Sequence, residues 1–379
     1  MFDRRRSEFP SLERWIHLVS HSLGPMPARA RDSMNQYLRR WNDYGSENAW
    51  KAEWWDLSRD VASRIARLLG ASGGSVQIQP NASVALSAVA SCLSFERGPR
   101  RKIVTTALEF PTTEYVCREQ ERSGARVEVV PSPDGVTTPV ERLLDAIDEE
   151  TALVVMSHAS YRSSFLLDPQ PIVERAHAVG SLVLLDVYQT AGVLPLKVAE
   201  WNIDFAVGGT IKWLCGGPAC GYLYVRPDRL AQWEPRLTGW IAHEAPFDFA
   251  PGRIRYDRSV RRFAQGTPSI PSLYSCLPGL DILLEVGLSE IAQESRRRTE
   301  RIVEVALERG WDLKSPREAD KRGGSVMLGA SEPEKLEREL AQRGVLVDWR
   351  PGVLRVSPHF FNTDEEVEKA LEIFSELLG

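Results

Sequence analysis

An α/β domain built on a mostly parallel sheet, followed by a smaller α+β domain, is the fold this sequence predicts. Between Val76 and Tyr224, short runs rich in β-branched residues alternate with helix-like stretches. Those runs are apolar almost throughout, as strands buried on both faces are. After Gly266 the texture changes to long charged helices with short strands between them, which predicts the second domain.

Taken in order, Lys102–Thr106, Arg126–Val130, Ala152–Met156 and Ser181–Leu185 read as strands, with helical spacing at Thr112–Arg122, Val140–Ile147 and Ile172–Val179. Phe205–Val207 and Tyr222–Val225 add two further strands. Beyond Gly266, Leu273–Leu284 and Leu288–Arg309 read as helices, and a strand follows near Ser325–Leu328. A helix at Glu334–Arg343, strands at Val345–Val347 and Val353–Val356, and a helix at Asp364–Leu378 complete the chain. The last opens with three acids, placed against the positive end of its dipole.

Composition narrows the function. The 379 residues suffice for a large and a smaller core, and 43% hydrophobic with 26% charged is globular composition. The net charge of −5 comes from basic and acidic residues interspersed along the chain, which argues against a nucleic-acid partner. The charged stretch Met1–Arg14 lacks the apolar core of a signal peptide, and no run is long enough to span a membrane. Five cysteines without a Cys-x-x-Cys pair point to a reducing, cytoplasmic setting. Cys215 and Cys220 fit no common zinc spacing, so no metal is expected.

The chemistry concentrates between Ser181 and Val225. One buried strand ends at Asp186 with Gln189 three positions on, and another leads through Gly208-Gly209-Thr210 to Lys212. In open α/β sheets, ligands bind outside the carboxyl ends of the strands, where both charged residues would lie. A carboxylate there can keep a pyridine nitrogen protonated, and a lysine there can condense with an aldehyde. Each also has an ordinary reading, Asp186 as a cap and Lys212 as a solvated charge. Lys212 is flanked by Ile211 and Trp213, however, and desolvation would favour its neutral amine.

The segments Asp186-Val187-Tyr188-Gln189-Thr190-Ala191-Gly192, Thr210-Ile211-Lys212-Trp213 and Gly216-Gly217-Pro218 resemble the cofactor signature of class V aminotransferases. These are fold-type-I enzymes that use pyridoxal 5′-phosphate (PLP). Within that group the chain is most similar to kynureninases. The likeness extends through His21–Pro27, Trp54–Leu57, Leu68–Ala71, Phe110–Thr112, Ser157–Arg162, Phe263–Pro268, Arg343–Pro351 and Leu354-Arg355. It implies an aspartate aminotransferase-like fold with a seven-stranded-type sheet. An N-terminal segment 1–45 would pack with the small domain, 46–270 would form the large PLP-binding domain, and 271–379 the small one.

The resemblance also implies roles. Lys212 would hold PLP and move the Cα proton, and Asp186 would pair with the ring nitrogen. Phe110 would stack on the ring, Ala82 and Ser83 would bind the phosphate, and Thr210 would add a hydroxyl to it. Gln189 would contact the ring's 3-oxygen. Arg355 would clamp the substrate carboxylate, with His359 near the substrate. Trp240 and Thr267 match positions that reach the phosphate or the neighbouring subunit's site, so a homodimer is expected. Kynureninases carry His, Tyr and Asp where this chain has Gln189, Ile211 and Thr113, departures that bear on Cβ–Cγ hydrolysis rather than on cofactor capture. The expected activity is that hydrolysis, releasing alanine from an amino acid. The alternatives are another class V reaction (transamination, epimerisation or β/γ-elimination) or a silent PLP-binding protein. Cysteine desulfuration fits less well, since no cysteine follows Cys276.

Overall fold

In the computed structural model, which describes residues 5–96 and 98–378, the chain builds a large unit with a core on each face of its sheet and a smaller unit with a core of its own. The elements of the N-terminal half are β1 (Ile16–His17), α1 (Arg29–Ala49, broken at Gly45), α2 (Trp55–Leu68), β2 (Val76–Gln79) and α3 (Ala82–Ala90). Next come β3 (Lys102–Thr106), α4 (Pro111–Glu119), β4 (Arg126–Val130), α5 (Val140–Ala146), β5 (Thr151–Ser157) and α6 (Gln170–Ala178). The large unit ends with β6 (Leu182–Asp186), β7 (Phe205–Gly209), β8 (Gly221–Val225) and α7 (Ile270–Val286). After it lie α8 (Leu288–Glu308), β9 (Val326–Gly329), α9 (Pro333–Gln342), β10 (Val345–Leu346), β11 (Asp348–Arg350), β12 (Val353–Val356) and α10 (Asp364–Leu378).

Seven strands form the main sheet in the order β2-β8-β7-β6-β5-β3-β4, parallel except where β8 pairs with β7 and β2. Strand periodicity sends alternate side chains to opposite faces, which explains the unbroken apolar runs. Val183 and Leu185 enter one core with α2, α6 and α7, while Leu182 and Leu184 enter another beneath α3. Fully burying one such leucine contributes ~1.5–3 kcal/mol.

A separate core gathers Ile16, Leu18, Ile302, Leu328, Val345, Leu354, Val356 and Phe374. Just past the expected boundary near 270, Ile270, Leu273, Leu280 and Leu283 of α7 pack into the large core, and helix residues of the separate core follow only beyond Gly287. The apolar content of α7 made it resemble the helices after it, but the face it buries belongs to the sheet. The N-terminal segment divides in the same way. Its residues 16–18 join the separate core through β1–β10 pairing, Phe9 and Leu12 join the large core, and its first four residues lie outside those described. The anticipated strand Val345–Val347 ends at Leu346, and a second strand starts at Asp348. Val345–Leu346 pairs with β1, and the chain then turns at Val347 into β11, which pairs with β12. Among the described residues no helix is long and apolar enough to cross a membrane.

Candidate active site

The sheet's register aligns the chemistry along one edge. Parallel β3, β5, β6 and β7 end there at Thr106, Ser157, Asp186 and Gly209, with Ser157 opposite Asp186. Antiparallel β8 starts there at Gly221, which faces both Gly209 and Gln79, the last residue of β2. The loops leaving that edge carry Asn81–Ser83, Glu109-Phe110, Tyr188-Gln189 and Thr210–Lys212.

Lys212 sits in a pinned loop. The Ile211 carbonyl accepts from the Gly24 N–H at 2.8 Å, and the Lys212 carbonyl from the Cys215 N–H at 2.9 Å. Thr210 donates its hydroxyl to the carbonyls of Gly217 (3.1 Å) and Cys220 (3.3 Å), so in this structure it ties the loop together. The Lys212 amine lies 4.3 Å from the Tyr188 ring centroid and 5.8 Å from that of Phe110, and among the described residues it has no hydrogen-bond or carboxylate partner. Burial pushes its pKa down to about 8, against the pull of Asp186 and with further push from Arg355 and Arg350. Burial raises the Asp186 carboxyl, while the Tyr188 N–H donated to Oδ1 at 2.8 Å and the nearby Lys212 restrain it.

Gly24 is needed where it stands. A Cβ there would lie 2.2 Å from the Lys212 carbonyl oxygen and 2.9 Å from the Cys215 Cα. Overpacking against backbone typically costs ~1–3 kcal/mol. Gly24→Ala is therefore expected to lower the melting temperature and weaken PLP binding at least ~10-fold, read by thermal melts and PLP titration.

At the start of α3, Asn81 caps the Val84 N–H at 3.0 Å, and Ser83 Oγ lies 3.2 Å from Thr112 Oγ1. With the Ala82 amide, these present N–H and hydroxyl groups at a helix N-terminus, which suits a phosphate. Phe110, at the start of α4, stays 42% exposed and meets Tyr161 edge-on at 5.2 Å, leaving a ring face open to the site. Gln189 bridges two parts of the chain: its Nε2 donates to the His21 carbonyl at 3.2 Å, and its Oε1 accepts from Trp213 Nε1 at 3.1 Å.

Arg355 is 2% exposed and held side-on by Asp348, with Nε 2.7 Å from Oδ1 and Nη2 2.5 Å from Oδ2. Its Nη1 also donates to the Tyr161 carbonyl at 3.1 Å. Of its five N–H groups, one on each Nη has no acceptor among the described residues and remains for a carboxylate. Asp348 also accepts from His21 Nε2 at 2.6 Å. Burial works against its ionisation, but the hydrogen bonds and charge of His21 and Arg355 outweigh that and hold the carboxyl far below its usual range.

His359 is placed differently from the expectation of a substrate contact. It is fully buried, its Nε2 donates to the Trp213 carbonyl at 3.1 Å and its Nδ1 accepts the Phe360 N–H at 2.9 Å, so neither nitrogen is free. Trp240 and Thr267 also lie apart from Lys212. Trp240 packs with Trp55, Phe247 and Phe249, and Thr267 lines a cleft of about 1210 Å³ beside Gln79 and Ala219 that none of Lys212, Asp186, Phe110 or Arg355 lines.

Sequence reasoning missed four residues. His21 and Asp348 were quoted only as motif letters, and their link to Arg355 spans more than 300 positions for His21. Tyr188 fills the space beside Gly209, where a Cβ would meet its hydroxyl at 2.4 Å. Glu109 accepts from the Thr106 hydroxyl and from both the N–H and hydroxyl of Ser157. Burial pushes it up to about 7. A carboxyl one residue before an edge aromatic was the available signal for Glu109.

The donor set fits PLP: a buried amine and a carboxylate oxygen that have no partner among the described residues, and a helix N-terminus on the same edge. Among the described residues no His/Cys/Asp/Glu group has the makings of a metal site.

The family model described as Aminotransferase class-V matches residues 16–369. An uncharacterized aminotransferase YcbU from Bacillus subtilis is 31% identical over 370 residues, spanning 98% of this chain and 96% of that protein. Kynureninase from Pseudomonas fluorescens is 31% identical over 396 residues, with 98% and 91% covered. Among solved structures, a cysteine desulfurase from Thermococcus onnurineus superposes with a TM-score of 0.87 at 21% identity, covering 98% of this chain and 97% of its own. The cystine C–S lyase C-DES, solved with its product cysteine persulfide, gives 0.85 at 18%, covering 97% and 99%. At those identities the structural likeness speaks for the fold.

Proposed function

Because the chain belongs to the class V aminotransferase family and is a PLP-dependent enzyme, we propose that it hydrolyses the Cβ–Cγ bond of an amino acid bearing a carbonyl at Cγ. The products are alanine and an acid. The observation that carries this reading is the buried Lys212 amine, which has no carboxylate partner among the described residues, near Arg355, whose two Nη atoms each keep one N–H without an acceptor there. Kynureninase relatives over nearly the full length support the bond chosen. The cysteines weigh against desulfuration. Cys215 is buried with its Sγ 3.8 Å from the Trp213 carbonyl, and Cys220 and Cys276 are buried against each other at 3.7 Å.

PLP, once bound, supplies an electron sink for the pair left when the Cα proton departs. The rest is the work of this chain. Ala82 and Ser83 hold the phosphate and Phe110 covers one ring face. Asp186 keeps the ring nitrogen's proton and Gln189 faces the 3-oxygen. Arg355 fixes the α-carboxylate through the N–H groups left on its two Nη atoms, and Lys212 as a neutral amine takes the proton from Cα. Thr210 acts by holding the lysine loop. Trp240 and Thr267 serve best as contacts to a second subunit's site, which makes a homodimer part of this proposal, as is a cytoplasmic setting.

The test is L-kynurenine added to the PLP-loaded protein, with anthranilate and alanine assayed together. Equimolar appearance supports hydrolysis. A yellow protein that gives no anthranilate sinks kynurenine as substrate, and formation of keto acid would favour the transaminase reading suggested by YcbU. Asp186→Asn is expected to cut turnover at least ~10²-fold without loss of fold, since it removes a preorganised charge from the ring nitrogen.

A further inference from the structure

Two arginines meet at the substrate end of the site. Asp348 and Arg350 are two apart in β11 and so project from the same face. They share an oxygen with Arg355: Asp348 Oδ2 lies 2.5 Å from Arg355 Nη2 and 3.3 Å from Arg350 Nη1. A single carboxylate oxygen thus stands between the two guanidinium groups.

The two are not equivalent. Arg355 is buried and gripped on one edge, whereas the Arg350 side chain is 38% exposed. Beyond Asp348, Arg350 is tied only through Nη1 to the Trp349 carbonyl at 2.6 Å, and among the described residues its Nε and Nη2 have no hydrogen-bond partner. It lies close enough to Lys212 for its charge to act on that amine, and beside Tyr161, whose ring edges Phe110. Around the amine, then, two arginines, Arg355 and Arg350, stand against Asp348. Once an α-carboxylate occupies Arg355, Arg350 keeps only its 3.3 Å contact to Asp348 Oδ2 as a charge partner, with Nε and Nη2 open on the half-exposed side.

We propose that Arg350 receives the oxygen carried on the substrate's Cγ, which makes it the residue that selects a γ-carbonyl or γ-carboxylate substrate. The assignment rests on the hydrolase reading above. Water's oxygen bonds to Cγ, and the carbonyl π pair moves onto the carbonyl oxygen, facing Nε and Nη2 of Arg350. When that oxygen re-forms its double bond, the Cβ–Cγ bond breaks. Its electron pair takes a proton at Cβ, and Cγ leaves as a carboxylate after losing the proton of the added water. Negative charge grows on the oxygen throughout, and the planar fork of an arginine suits both the alkoxide and the carboxylate.

Succinate tests this without any reaction, since it has no amine. Its two carboxylates fall where the α-carboxylate and the Cγ oxygens of a substrate would lie, and butyrate is the same chain with one. Calorimetry on the PLP-loaded protein should find succinate binding at least ~10-fold tighter than butyrate, about 1.4 kcal/mol. Arg350→Gln should bring succinate down to the level of butyrate and leave butyrate unchanged. Arg350→Lys, which keeps the charge but loses the fork, should fall between. Retained visible absorbance would confirm that the variants still hold the cofactor. Equal binding of the two acids by the unmodified protein, or a preference that survives Arg350→Gln, overturns the assignment alone, provided butyrate still depends on Arg355. If neither acid binds and Arg355→Lys changes nothing, the hydrolase reading falls with it.

Discussion

Lys212→Ala is expected to abolish the yellow colour of the PLP-loaded protein and to lower turnover by more than ~10³-fold, because one substitution removes the group proposed as both covalent anchor and Cα base. The environment of the amine adds a pH signature. Burial pulls its pKa down to about 8, so below that value it is mostly protonated and cannot condense with an aldehyde. In the PLP-free protein, cofactor uptake should therefore rise about tenfold per pH unit up to the lysine's pKa and level off above it. A lysine left at its ordinary pKa would show no plateau in that range. Stopped-flow absorbance across pH 6 to 9.5 separates the two cases.

The second large effect concerns Arg355. Its side-on grip by Asp348 uses Nε and Nη2 together, a geometry that lysine cannot reproduce. Arg355→Lys should raise KM by about 10- to 100-fold, matching the ~1.5–3 kcal/mol of a charge-assisted hydrogen bond. It should also destabilise the fold, since Asp348 would keep His21 but lose its buried arginine. Asp348→Asn separates positioning from binding. It leaves Arg355 in place without its orienting charge, so KM should rise while the visible spectrum stays unchanged. An unaltered KM in Asp348→Asn would show that Arg355 needs no such support.

The main sheet and its edge were legible in the sequence because burial on both faces leaves an unmistakable record. Leu182–Leu185 carries no polar residue, and the first acid after it, Asp186, marks where the strand reaches the ligand edge. Lys212 was legible for a related reason, a charge set between two apolar residues, of which Trp213 is wholly buried. The support of Arg355 was not legible. Asp348, seven positions away, pairs with it only because β11 and β12 run antiparallel in that register, and nothing local fixes such a register. His359 misled because spacing from Arg355 says nothing about direction. The side chain turns inward beneath Trp213, and both nitrogens are spent on backbone. Which core α7 covers was not legible, because an apolar helix looks alike in sequence whichever core it packs on.

The pairing of Ile16–His17 with Val345–Leu346 has a consequence for how the protein is made. Strand β1 leaves the ribosome more than 300 residues ahead of its partner β10. At typical synthesis rates of ~5–20 residues per second, it waits on the order of tens of seconds with an unpaired edge. The parallel sheet, complete by Val225, can assemble in that interval, but the separate core cannot close until the C-terminal strands arrive. Because His21 and Gly24 follow that strand directly, the substrate clamp and the lysine loop gain their N-terminal supports only at this last step. A nascent chain halted before residue 345 would thus carry a formed sheet without a finished active site.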